Sequence, residues 1–93
     1  FFFLHFQKFL DTLADSIIED KNVISSGVIP ANILLSCGIL KYRNTALIDM
    51  LSDKILSYEG PKQNQQMLTA LMTMAIVNYL SPNGEKIIDV SFN

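Results

Sequence analysis

Four aspartates are spaced to do chemistry. Asp11 and Asp15 stand four residues apart, and so do Asp49 and Asp53, which would set two carboxylates side by side on a helix. Paired carboxylates can act as general acid and base or hold a hard cation. Both pairs, however, fall on the polar side of amphipathic segments and recur with a structural period, so a solvated helix face is the expectation. His5 and Cys37 are the sole histidine and cysteine. They are too few for a zinc-ligand spacing or a disulfide. Cys37 lies in an apolar run, where an inert buried thiol is expected, and one cysteine fits a reducing compartment. No phosphate-binding glycine loop or serine nucleophile elbow is present. The residues do not describe an enzyme, and neither cofactor nor metal is expected.

The elements that must position these residues are repeated. Residues 9–20 (FLDTLADSIIED) lie over residues 47–58 (LIDMLSDKILSY), setting Asp11 on Asp49, Leu13 on Leu51, Asp15 on Asp53 and Ile17 on Ile55. Residues 31–42 (ANILLSCGILKY) lie over residues 68–79 (LTALMTMAIVNY), setting Leu34 on Leu71 and Tyr42 on Tyr79. A period of about 37 to 38 residues, built from two kinds of helix-like segment, predicts an all-α solenoid of stacked helical hairpins. One helical segment then fills residues 1–93: a partial unit at 1–22, a repeat at 23–60 and a truncated repeat at 61–93. That is about two and a half repeats. The run FFFLHFQKF reads as the middle of a helix hairpin and EKIIDVSFN as a helix cut short, so a piece of a larger protein is expected.

Within this scheme the spacing predicts helices over residues 9–20, 30–42, 45–58 and 64–80, with another opening at Ser81-Pro82. Leu10, Leu13, Ala14, Ile17 and Ile18 form one amphipathic stripe. Lys21-Asn22 and Ser25-Ser26-Gly27 read as a loop, and Pro30 fits a first helical turn. Asn44 is a cap candidate, and Gly60-Pro61 reads as a helix stop with glycine in the left-handed conformation. The 30–42 and 64–80 segments are nearly uncharged and apolar on two faces. Ala31, Leu34, Leu35, Gly38 and Tyr42 form one face of the first, with Ile33, Cys37 and Leu40 on its second. Leu68, Leu71, Met72, Ala75 and Tyr79 match the first face in the other segment, and Ala70, Met74 and Val77 the second. These helices are expected inside, between neighbours, and the acidic amphipathic ones outside.

The bulk numbers agree with such an array. The 93 residues are 49% hydrophobic but only 17% charged, with a net charge of −2. Few charges suit a piece covered by neighbours, and an acidic balance gives no basic footprint for nucleic acid. Two long uncharged stretches, 22–40 and 63–84, are broken by Pro, Gly, Ser and Asn, and fall short of the ~20 apolar residues of a membrane span. No signal peptide is recognisable at the start.

The inner segments share Leu-x-x-x-x-x-Leu/Val-x-Tyr, and the first runs into Leu-Ile-Asp-x-Leu-x-Asp-x-Ile-Leu at residues 47–56. This pattern resembles the helical repeats of FAST-kinase-like proteins, akin to the octotricopeptide repeats of organelles, from residue 9 to about residue 89. The resemblance implies an RNA-binding or ribonucleoprotein-associated protein of mitochondria or another organelle, for instance within a mitochondrial ribosome or RNA-processing complex. A family member often carries a C-terminal RAP domain, of which nothing is visible here. Under that reading RNA would meet the polar stripe of the inner helices: Asn32 with its equivalent Thr69, Ser36 with Thr73, then Gln65, and Lys62 where a phosphate could approach. Repeat proteins read a base with two or three such side chains per unit. The same residues can instead face solvent or bond backbone carbonyls. Tyr42 and Tyr79 could stack on bases, though alignment with the apolar face predicts a structural role. Met67, Met72 and Met74 read as core fillers. The alternative is a protein–protein scaffold of armadillo, HEAT or tetratricopeptide type, with neighbouring proteins as partners and FFFLHF as an interface strip.

Overall fold

The motifs that recur in the sequence also recur in space. The computed structural model describes residues 2–20 and 28–92. It contains five α-helices: α1 (Phe2–Glu19), α2 (Val28–Leu40), α3 (Thr45–Ser57), α4 (Gln63–Ile76) and α5 (Pro82–Phe92). Among the described residues there is no strand.

Two caps stand at matching positions. Asn44 is the extended residue before α3, and its side chain accepts from the Leu47 N–H at 3.1 Å. Ser81 precedes α5, and its hydroxyl oxygen accepts from the Gly84 N–H at 3.0 Å. Each satisfies an N–H that a helix start leaves unpaired.

The ends of α2 and α4 match atom for atom. At the end of α2 the Tyr42 N–H donates to the Cys37 carbonyl (2.8 Å), and the Lys41 N–H donates to that of Gly38 (3.1 Å). At the end of α4 the Tyr79 N–H donates to the Met74 carbonyl (2.9 Å), and the Asn78 N–H donates to that of Ala75 (3.3 Å). This crossed pair is a Schellman motif, and it requires a left-handed residue just past the helix. Lys41 (φ 52°) and Asn78 (φ 56°) fill that position. The motif also ends α4 at Ile76, before the expected Leu80.

α3 is the hub. It packs against all four other helices, and Leu47, Ile48, Leu51 and Ile55 on it are buried. Helices two apart in the chain pack together: α1 with α3, α2 with α4, and α3 with α5. Among the described residues α1 packs on neither α4 nor α5, and α2 does not pack on α5. The molecule measures 45 × 28 × 19 Å, with a radius of gyration of 12.9 Å against about 12 Å for an average domain of this length.

α2 and α4 run parallel in close contact. The Thr73 hydroxyl donates to the Leu34 carbonyl at 2.9 Å. A Cβ placed on Gly38 would lie 3.4 Å from Thr73 Oγ1 and 3.5 Å from Ile76 Cδ1. Further along, Arg43 reaches the Asn78 carbonyl at 3.4 Å. α2 meets α4 with Leu34 and Gly38, both buried, whereas α4 buries Gln66, Met67, Ala70, Thr73 and Met74, with Val77 buried just past its end. Pro30 and Cys37 of α2 and their equivalents Met67 and Met74 of α4 are buried in both, and beyond these the two helices bury different faces.

Several expectations are corrected. α1 starts at Phe2 and α2 at Val28, each earlier than the apolar spacing alone marks. The left-handed residue between α3 and α4 is Lys62 (φ 68°), not Gly60. Leu13, Leu35, Leu68 and Met72, placed on packing faces, are exposed at 47, 46, 55 and 53%. The faces that should hold Leu35, Leu68 and Met72 against a neighbour have nothing packed over them. The loop expected at Lys21-Asn22 and Ser25–Gly27 lies outside the described residues.

Candidate functional site

The most distinctive surface is carried by α2 and α4 together. On α2, Val28, Asn32, Leu35 and Ile39 follow one another at four, three and four residues and form a single stripe. Their equivalents on α4, Gln65, Thr69, Met72 and Ile76, form a second stripe. Because the helices are parallel and packed, the stripes lie side by side. All eight are exposed except Thr69, which is half-buried. Ile39 is 72% exposed and Ile76 52%, unusual for isoleucines in adjacent helices. Neither α2 nor α4 contains a charged residue.

The structure separates the six residues that the sequence grouped as an RNA-reading stripe. Asn32, Gln65 and Thr69 lie on this open face. The Thr69 hydroxyl donates to the Gln65 carbonyl of its own helix at 3.0 Å. Lys62 is exposed at the start of α4. Ser36 is exposed, but it lies off the open stripe, and its hydroxyl donates to the Asn32 carbonyl. Thr73, its equivalent, is 1% exposed with its hydroxyl spent on Leu34. Thr73 thus belongs to the seam between α2 and α4, Ser36 bonds only its own helix, and neither lies on the open face.

The aromatic and acidic candidates also have structural partners. Tyr42 is buried, and its hydroxyl donates to Asp11 Oδ1 at 2.6 Å while accepting from Asn44 Nδ2 at 3.0 Å. Burial pushes its phenol above the usual range and Asp11 adds to this, while the Asn44 bond opposes them. Tyr79 is half-buried beside the core. Asp49 accepts from Asn83 Nδ2 at 3.0 Å, at the start of α5 where a carboxylate also complements the helix dipole. Asp11, Asp15 and Asp53 are exposed as expected and Asp49 is half-buried, but Asp11 and Asp49 also serve as ties between elements, a role the solvated-face expectation did not include. Burial raises the Cys37 thiol above its usual range, the direction that suppresses thiolate chemistry.

Among the described residues no three metal-ligating side chains converge. No described helix is long and apolar enough to cross a membrane. The site that sequence reasoning missed is aliphatic: Leu35, Ile39, Met72 and Ile76. Its signal was present, since Leu35 matches Met72 and Ile39 matches Ile76 at the repeat offset, but apolar residues read as core.

No family profile, characterised protein or solved structure matches the chain. Its function is therefore argued from this surface.

Proposed function

We propose that the chain is a segment of an α-solenoid and that it acts as a non-catalytic scaffold, binding an apolar protein segment along the paired stripes of α2 and α4. Packing between helices two apart, together with the duplicated caps and turns, supports the stacked arrangement. The observation that carries the binding role is the exposure of Leu35, Ile39, Met72 and Ile76 on two helices without charge. An uncharged aliphatic face gains nothing from a phosphate backbone, whereas an apolar helix laid across it removes area worth about 25 cal/mol per Å².

A second reading keeps the organellar RNA expected from the family resemblance. It is favoured by Asn32, Gln65 and Thr69 lying on the same face, with Lys62 at the start of α4. The mitochondrial setting belongs to that reading alone. Its weakness is electrostatic. Among the described residues only Lys41, Arg43 and Lys62 stand near the ends of α2 and α4, and phosphate contacts supply most non-specific affinity.

Titration separates the readings, with an amphipathic model peptide and a single-stranded RNA oligomer as probes. The scaffold reading expects peptide binding that barely responds to added salt and is lost in the Ile39→Glu, Ile76→Glu variant. It expects no comparable RNA affinity. RNA binding that falls steeply with salt and survives those two substitutions would replace it with the second reading.

A further inference from the structure

The two inner helices are equivalent in sequence but not in their surroundings. α2 is covered by α4 on the face bearing Ala31, Leu34 and Gly38, all buried. The equivalent residues of α4 are Leu68, Leu71 and Ala75. Leu68 and Ala75 are exposed and Leu71 half-buried. Leu71 and Ala75 instead line an open cavity of about 440 Å³ between α4 and α5, together with Tyr79, Leu80 and Ile88. This cavity does not include the residues of the stripes that carry the proposed function.

We propose that the α4–α5 groove receives one uncharged α-helix, which packs on α4 as α4 packs on α2. The proposal rests on the stacked-hairpin reading and extends it to a docking site of defined chemistry. The groove continues an interface that the molecule already contains, so the properties of its occupant can be read from α4. Gly38 brings α4 close to α2, and Ala75, the next smallest side chain, stands at its equivalent. Thr73 donates to the Leu34 carbonyl, so the occupant places a serine or threonine hydroxyl on the carbonyl of Leu71. Ala70 on α4 and Val77 at its C-cap, three before and four after Thr73, are buried. The occupant therefore presents apolar side chains at those positions around its hydroxyl. The groove lining contains no charged side chain, so a charge on the docking face would be desolvated without a partner.

A second intact copy of the chain does not fit this pose. Seated by its α4, that copy would bring along the α3 packed on it, and this α3 would fall where α5 borders the groove. The occupant is a lone helix of the α2/α4 kind.

The test uses the full chain, isotope-labelled, and a synthetic peptide of residues 62–80, which carries the α4 face in trans. Saturable shifts centred on Leu71, Ala75, Tyr79 and Ile88 are expected. The Ala75→Glu variant, altered at an exposed position, should lose them. A peptide carrying Thr73→Lys should bind at least tenfold more weakly. Shifts confined to the stripes of α2 and α4, binding unaffected by Ala75→Glu, or no binding would each overturn the proposal. A cross-peak between Thr73 and Gly38 in the unliganded chain distinguishes the failures. Its presence with an empty groove sinks only the docking site, whereas its absence sinks the stacked reading beneath it.

Discussion

The smallest unit of this architecture is a tie between one helix and the start of another. Asp11 on α1 holds the Tyr42 hydroxyl, which in turn holds Asn44, the cap of α3. Asp49 on α3 holds Asn83 at the start of α5. The recurrence of the aspartates was legible in the sequence, but their purpose was not. Tyr42 lies 31 residues from Asp11, and no local periodicity links them. Tyr42→Phe removes a hydrogen bond to a charged, partly hydrated acceptor, so a loss of about 1–2 kcal/mol is expected from denaturant titration. The bond also gives a pH signature. The Tyr42 phenol is raised in the folded state, so its contribution to stability is complete below the unfolded phenol value of about 10 and is lost as pH rises through the folded one. The wild-type protein should therefore lose more stability than Tyr42→Phe between neutral and strongly alkaline pH. Parallel curves for the two would contradict the role given to this hydroxyl.

At the scale of the element, the five helices were largely legible because helix periodicity, caps and breakers are local properties of the chain. Asn44, Ser81 and the apolar spacing placed α3 and the start of α5 well. Which face of an inner helix is covered was not legible, because α2 and α4 have the same pattern and differ only in what lies beside them. Leu35, Leu68 and Met72 were assigned to packing faces for that reason. Thr73 was misplaced on a ligand stripe because a threonine bonded to a neighbouring helix looks, in one dimension, like a solvated one. The seam itself can be tested through Gly38. It is not left-handed, and an added methyl meets its neighbours at 3.4 Å or more, an ordinary contact. Gly38→Ala should then stabilise the protein by about 0.5–1 kcal/mol through helix propensity, measured by thermal or denaturant unfolding. Gly38→Leu should destabilise it by about 1–3 kcal/mol, since the larger side chain has to displace α4.

For the whole molecule, the pattern of neighbours carries more than any single contact. A closed bundle brings its first and last helices together. Here α1 and α5 both pack on α3 and, among the described residues, not on each other. The 37- to 38-residue recurrence foretold two alike hairpins, and the matched Schellman turns after α2 and α4 show that alikeness in the backbone. What the sequence could not supply was the partner, because the same low charge suits a face covered by its own array and a face that covers something else. The claim on which the account depends is the side-by-side, parallel seating of α2 and α4 with α1 and α5 held apart. Nuclear Overhauser spectroscopy of the methyl-labelled chain tests it directly. The account predicts strong cross-peaks from the Thr73 methyl to Leu34 and Gly38, and none between Phe6 or Phe9 and Ile88. Cross-peaks joining α1 to α5, with the Thr73–Gly38 contact missing, would contradict it.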